Sequence, residues 1–363
     1  MRPTDVIRRR MRNTRLTGAP FESAAETVRW HGAMQGQDYG PAKWSIGQRA
    51  AGLVDEDIDL ELNDGAILRT HALRPTWHLL AREDIRWVLA LTGPRVHRQI
   101  GPRFRQLGLD AKTLAKCQKE IVAALDGNNH LTRKDIAEVL DTAKIDRNGQ
   151  RLPHILAHLE LQSVICSGRL AGKQQTYALL DDRAPAGATF DGDEAMAELV
   201  RRYLQSHGPA TVADLRWWSS LTIAEIKQTL HMMGSEVDGE NIGGLTLWWL
   251  AADDAHSPAM RRGHLLQMLD EVFVGYTESR HFGDPRADAA RTAWSHRGMP
   301  AANVLLKGRV AGHWKRTLAK NTMTVELMLY ENPKPSNERA IEGAARRMGR
   351  FVGRPVTVTA TKI

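Results

Sequence analysis

The stretch "GPATVADLRWWSSLTIAEIKQTLHMM", Gly208 to Met233, holds two helix starts in close succession. Thr211 is followed three residues on by Asp214. The threonine hydroxyl can accept from a free backbone N–H of the first turn, and the aspartate can return a bond to the threonine N–H. Val212, Leu215 and Trp218 supply the apolar positions. "SSL" interrupts them. Thr222 and Glu225 then repeat the box, and Ile223, Ile226 and Leu230 form a second apolar stripe at helical spacing. Each cap is worth roughly 0.5–2 kcal/mol, so two of them around so short a break specify two short helices and a tight corner. Downstream, "NIGGLTLWWL", Asn241 to Leu250, places Gly-Gly before β-forming residues and reads as a hairpin. Helix-turn-helix followed by hairpin is the order of a winged helix.

The same order recurs upstream. In "HLTRKDIAEVL", Thr132 and Asp135 form a similar box. "GQRLPHILAHLELQSV" is the next helix, and "VICSGRLAGKQQTYALL" is a hairpin turning near Leu170 to Lys173. At the N-terminus, "FESAAETVRWHGAM" pairs Ser23 with Glu26 and carries Ala24, Val28 and Trp30 among its apolar positions. "PAKWSIGQRA" follows as a helix with Pro41 in its first turn, and "ILRTHALRPTWHLL", Ile67 to Leu80, is a hairpin turning near Arg74–Pro75. Three copies of one supersecondary order argue for a repeat architecture. After about residue 260 the pattern changes. "HLLQMLDEVFVGY" reads as part helix. "NVLLKGRVAGHWKR" and "TMTVELMLY" alternate as strands around a Lys307–Gly308 turn. "SNERAIEGAARRMGRFVG" is a basic amphipathic helix capped at Ser336, and "PVTVTATK" is a last strand. The predicted fold is α+β and mainly helical. Three tandem winged-helix modules, 1–105, 106–182 and 190–258, precede a small β-rich domain, 260–363. The Gly-, Pro- and Asp-rich run 181–193 is the linker between the second and third modules.

The totals narrow the partner. A chain of 363 residues suggests two or three domains, and 42% hydrophobic with 25% charged residues is ordinary globular composition. A net charge of +8 and a pI of about 9.6 favour a polyanion, nucleic acid first. No run approaches the length of a membrane span, and "MRPTDVIRRRMRN" lacks the apolar stretch of a secretory signal. Cys117 and Cys166 stand apart and read as reduced, buried thiols of a cytoplasmic protein. No Cys/His cluster has zinc spacing, and no GxxxxGK[ST] loop is present, so neither a metal nor another cofactor is expected.

"MQGQDYGPAKWSIGQRA", "LRTHALRPTWHLLAREDIRWVL", "LLQMLDEVFVGY" and "VLLKGRVAGHWKR" resemble the corresponding stretches of tandem winged-helix DNA glycosylases of the AlkZ type, and the resemblance spans nearly the whole chain. It implies a C-shaped channel of three winged helices completed by a β domain, and excision of N7-alkylated purines from duplex DNA. In some members it extends to unhooking interstrand crosslinks. The Gln-x-Gln catalytic motif of that family falls on Gln35 and Gln37, with Gly36 between them where a larger residue is common. By itself, "QGQ" is a polar turn after a helix, and the glycine leaves its backbone less fixed.

Two neutral amides suit such a substrate. An N7-alkylated purine already carries positive charge and leaves as a neutral base. What remains is to place a water and to stabilise a developing cation on the sugar. A glutamine carbonyl has two lone pairs for those tasks, although it makes a poor general base. Asp38, beside Gln37, is the second-line candidate because a carboxylate is the stronger base. No lysine is marked out for Schiff-base chemistry, so a monofunctional enzyme is expected. A crosslinked base cannot swing freely out of the stack, so catalytic groups must come to the duplex. Arg69, His71, Arg74 and His78 of the first hairpin are candidates for contacts with phosphate or base edges, or alternatively hairpin residues with satisfied bonds. Trp217–Trp218 and Trp248–Trp249 read as packing residues, and Asp270–Glu271 as part of a structural salt bridge. The partner is damaged double-stranded DNA, and a clamp built from internal repeats needs no second chain, which suggests a monomer. A non-catalytic winged-helix binder, or a protein that sequesters a drug, is the competing reading.

Overall fold

Both caps read in Gly208–Met233 form. In the computed structural model, which describes residues 1–187, 189–252, 263–284 and 302–363, the Asp214 N–H donates to Thr211 Oγ1 and the Thr211 N–H to the Asp214 carboxylate, each at 3.1 Å. Thr222 and Glu225 repeat this at 3.2 and 2.7 Å.

The chain is α+β, with more helix than strand. The first segment runs α1 (Pro3–Asn13), α2 (Ala24–His31), β1 (Met34–Gln35), α3 (Tyr39–Gly47), α4 (Asp55–Asp64) and the hairpin β2 (Ile67–Ala72) and β3 (Thr76–Ala81), in sheet order β1-β3-β2. A long helix, α5 (Ile85–Gln106), leads to α6 (Ala111–Leu125), β4 (Leu131–Thr132), α7 (Arg133–Thr142), α8 (Arg151–Leu161), β5 (Ile165–Ser167) and β6 (Thr176–Leu179). After the short α9 (Leu180–Arg183) come α10 (Gly192–His207), α11 (Val212–Ser219), α12 (Ile223–Met233) and the hairpin β7 (Val237–Ile242) and β8 (Leu245–Leu250). The last segment comprises β9 (Gly263–Leu266), α13 (Glu271–Val274), β10 (Asn303–Leu306), β11 (Arg309–Leu318), β12 (Met323–Leu329), α14 (Pro335–Phe351) and β13 (Val356–Lys362). Its sheet, β13-β12-β11-β10-β9, is antiparallel except for the β12–β13 pair, whose parallel register needs the crossover that α14 supplies. No helix among the described residues is long and apolar enough to cross a membrane.

Several local expectations are modified. Ile223 is exposed, and the buried stripe of α12 is Ile226, Thr229, Leu230 and Met233. α14 begins at Pro335 with Lys334 as its cap residue, so Ser336 lies inside the helix rather than at its cap. Only half of the Ser23 box forms: Ser23 Oγ accepts from the Glu26 N–H at 3.0 Å, while Glu26 accepts from the Glu22 N–H at 2.9 Å. The Lys307–Gly308 turn forms, both residues having positive φ (52° and 75°). Residues 253–262 and 285–301 lie outside the described residues, so the boundary expected at 258–260 does too.

The hydrophobic cores follow space rather than sequence. The second segment has its own core, with Phe104, Cys117 and Ile121 packed on Leu140, Leu156 and Ile165. The first and third share one: Leu68, Trp87 and Val88 meet Tyr203, Leu215 and Trp218, with Tyr276 among them. The rest of the first packs on the C-terminal sheet, where Val28, Trp44 and Leu79 meet Trp314, Val325 and Met348. This sharing places β1 and the first hairpin at the centre of the molecule, in reach of α13.

Candidate active site

β1 is only two residues long, yet its position is over-determined. Gln35 lies opposite His78 of β3. The Gly36 N–H donates to the Trp77 carbonyl at 2.8 Å, and the Gly36 carbonyl accepts from Arg69 Nε at 2.8 Å. A β-carbon at Gly36 would sit 3.3 Å from the His78 and Leu79 backbone. The glycine therefore permits a close approach to β3. The looseness expected of it does not appear, because its backbone is bonded on both sides.

The two amides are held against the same strand. The Gln37 N–H donates to Gln35 Oε1 at 3.0 Å, and Gln35 Nε2 donates to Thr76 Oγ1 at 3.4 Å. The Trp77 N–H donates to Gln37 Oε1 at 3.3 Å, so the Gln37 side chain carries the β1–β3 pairing one position further. Gln35 is 7% exposed, whereas Gln37 and Asp38 are exposed. One amide thus forms the floor and the other the mouth of a small polar step. Asp38 caps α3 by position alone, with no side-chain bond to the helix.

Beneath Gln35 lies a carboxylate. The Gln35 N–H donates to Glu271 Oε1 at 2.5 Å, and Glu271 Oε2 is 3.3 Å from His207 Nε2. His207 is stacked on Tyr203 at 4.8 Å and bonded through Nδ1 to Ser206 Oγ at 2.8 Å. Asp270 fills the expected structural role: Arg49 binds it through two nitrogens at 2.7 and 2.9 Å, and Ser45 Oγ donates to it at 2.9 Å. Burial alone would raise the Asp270 pKa, but the Arg49 guanidinium holds its carboxyl below the usual value. Its neighbour Glu271 instead supports Gln35.

The four hairpin residues face their own protein. Arg69 lies over the Trp77 ring at 4.4 Å and binds the Gly36 and Gln37 carbonyls. His71 Nδ1 pairs with Glu160 of α8, which also accepts from Trp77 Nε1 at 3.2 Å. Arg74 donates to the Val274 carbonyl at 3.1 Å and lies 3.5 Å from His78 Nε2. His78 is buried, with Nδ1 2.9 Å from the Thr76 carbonyl, and burial together with the Arg74 charge pushes its pKa well below 6.5. For His71 and His78 the structure gives the alternative arrangement, rings turned inward with bonded nitrogens. Arg69 and Arg74 are half-buried. Sequence reasoning missed Glu160 and Trp77 altogether, and their only local signal was an ordinary polar residue on an apolar helix and an aromatic in a strand. Among the described residues, no cluster of three or more His, Cys, Asp or Glu could hold a metal ion.

What the site offers is therefore amide chemistry: a Gln35 carbonyl with one lone pair beyond the Gln37 N–H, and a solvent-facing Gln37 amide. The model of the AlkZ-like DNA glycosylase family matches residues 28–351, a span that holds both glutamines, the first hairpin and Glu271. The chain belongs to the AlkZ-like DNA glycosylases. It is an enzyme of that class, and its substrate is DNA. The sequence is similar to the interstrand DNA cross-link repair glycosylase of Streptomyces sahachiroi, 24% identical over 95% of each chain. The solved structure of Streptomyces sahachiroi DNA glycosylase AlkZ superposes with a TM-score of 0.81 at 23% identity, covering 99% of this chain and all of that one. That likeness establishes the common α+β fold of this AlkZ-like glycosylase.

Proposed function

We propose that this glycosylase hydrolyses the N-glycosidic bond of N7-alkylated purines in double-stranded DNA and leaves an abasic site without cutting the strand, and that its substrates extend to interstrand crosslinks. The reading rests on one observation: two uncharged amides, Gln35 buried and Gln37 exposed, close the β1 edge together, fixed by β3 and by Glu271. Water attacks C1′ of the sugar as the C1′–N9 bond breaks. The electron pair goes to the cationic base, which departs neutral, and the proton of the water passes to solvent. Gln37 at the mouth orients the water, and the Gln35 carbonyl faces the cation developing on the sugar. The crosslink extension is supported by the name of the Streptomyces sahachiroi relative, and the N7-alkylpurine preference by the pair of neutral amides, which suit a base that already carries positive charge.

In this reading the three helix–helix–hairpin segments, 1–105, 106–182 and 190–258, are winged-helix modules that form a C-shaped channel completed by 260–363. The molecule works as a cytoplasmic monomer. Arg69 and Arg74 lend positive potential to the channel while fixing the loop, and the net charge of +8 makes binding fall steeply with salt. Asp38 remains the second candidate because its carboxylate is exposed and uncommitted to the α3 cap.

A duplex carrying a single N7-methylguanine tests this. Wild type should release free base and leave alkali-labile, otherwise intact strands, and the Gln35→Ala/Gln37→Ala double variant should not. Loss of release in Asp38→Asn, with activity kept in the glutamine variants, would transfer the role to Asp38. Tight binding by wild type with no base released would leave a non-catalytic binder.

A further inference from the structure

Trp217 and Trp218 are neighbours in sequence with opposite fates. Trp218 is fully buried in the core shared by the first and third segments, while Trp217 is 45% exposed. Among the described residues, Trp217 is the one aromatic in the group of large, strongly exposed hydrophobic side chains. Its indole is not loose. Nε1 donates to the Val274 carbonyl at 3.0 Å, and the Arg74 guanidinium lies 5.4 Å from its ring centre. Arg74 donates to that same carbonyl at 3.1 Å. An exposed indole tied at its edge and backed by a cation is held ready to meet a flat partner.

The anchor also fixes where that partner would lie. Val274 ends α13, and Glu271, which holds the Gln35 N–H, begins it. Three residues of helix rise only about 4.5 Å. One rigid turn therefore holds the catalytic candidate at one end and the exposed ring at the other. Arg74 closes the same circuit from the hairpin side, through His78 opposite Gln35. Arg216, exposed beside Trp217, adds a positive charge suited to a phosphate.

We infer that Trp217 is an aromatic platform on which a flat ring of the DNA substrate stacks beside the Gln35–Gln37 amides. The ring is either a nucleobase of the DNA or an aromatic group carried on the alkylated purine. The inference rests on the base-excision reading above and adds a determinant of substrate choice to it.

Two substitutions separate stacking from anchorage. Trp217→Phe keeps a ring and loses the N–H. Trp217→Gln keeps a donor for the Val274 carbonyl and loses the ring. Each is assayed with wild type on duplexes carrying N7-methylguanine or N7-benzylguanine, with thermal unfolding measured alongside. Base–aromatic stacking predicts that Trp217→Gln raises KM by about 5- to 100-fold with little change in kcat, and that Trp217→Phe stays close to wild type. A loss on both substrates assigns the stacked ring to the DNA, and a loss confined to the benzyl lesion assigns it to the adduct. Should Trp217→Gln melt early, Trp217→Leu gives an apolar, non-aromatic replacement from which the same loss is expected. Wild-type kinetics in the Gln variant on both lesions, or loss in the Phe variant but not in the Gln variant, overturns the platform and leaves Trp217 as an anchor of α11. If wild type releases neither base, the base-excision reading fails and takes the platform with it.

Discussion

The hairpins β2–β3 and β7–β8 are each built of two six-residue strands, and they live in opposite surroundings. The third-segment hairpin is buried along one face and open along the other: Val237, Ile242, Leu247 and Trp249 pack inward, with Val6 of α1 among their neighbours. Asp238, Gly239, Glu240 and Asn241 are exposed, and the turn is the glycine pair Gly243–Gly244, both at positive φ (61° and 86°). Its acidic outer face is a poor match for phosphate. The first-segment hairpin is buried along most of its length and turns at Leu73, a non-glycine residue at φ 51°. A bulky side chain rarely adopts that conformation, and here its burial in the shared core holds it. A hairpin with one open face is held from one side only. A central hairpin is fixed by every neighbour, and for that reason it can carry a site whose groups must stay in place.

That contrast is open to direct attack. The largest effect is expected at Glu160, 1% exposed, whose carboxylate binds His71 and Trp77 of the first hairpin. Glu160→Ala should cost about 2–5 kcal/mol in denaturant unfolding, because it leaves the buried His71 ring and the half-buried Trp77 N–H without their partner, at about 1–3 kcal/mol each. A cost below 1 kcal/mol would mean that the first hairpin is no better fixed than the third. Next, removing one of the site amides should slow base release about 10²- to 10³-fold. Gln37→Ala should do so at an unchanged melting temperature, because Gln37 is exposed, whereas Gln35→Ala should also lower it.

The pH dependence of stability comes third. His78 is held neutral by burial, so the unfolded chain takes up a proton that the folded chain refuses. Stability present above about pH 6.5 is therefore lost as pH falls below it. Asp270 acts lower, its contribution disappearing only as pH drops beneath the ordinary carboxyl value of 3.8. Denaturant midpoints should thus begin to fall below about pH 6.5, and His78→Gln should reduce that slope. The third hairpin contains no histidine, and changes there should leave the slope alone. The smallest effect is expected at Glu240, whose bond to the N-terminal ammonium is exposed. Glu240→Ala should change unfolding by about 0–1 kcal/mol, and by less at high salt.

Elements written in short-range chemistry were readable. The Thr211, Thr222 and Thr132 caps join residues three apart, and the turns at Leu170–Lys173 and Lys307–Gly308 depend on their own backbone angles. α5 was unreadable because Pro94 and Pro102 mark breaks by any local rule, yet the helix runs through both, packed on α8. α4 was hidden by its acidic run, which obscures the buried Ile58 and Leu62. The Gln35–Gln37 pair stood out only through resemblance, since a polar turn would look the same. Glu271 was legible only as part of a salt bridge, and its place under Gln35 was not, because the Gln35 N–H is 236 positions away. Trp217 was grouped with Trp218, although the Val212–Leu215–Trp218 stripe turns only Trp218 inward.

The residues alone determined where helices start, where hairpins turn, that the chain carries excess positive charge and that two amides stand together after the second helix. These follow from interactions a few positions long. Only the folded chain decided which hairpin would be buried, which carboxylate would sit under Gln35 and which tryptophan would face outward. Each of those depends on groups far apart in sequence sharing one low-dielectric space, where a polar atom must find a partner or stay in water.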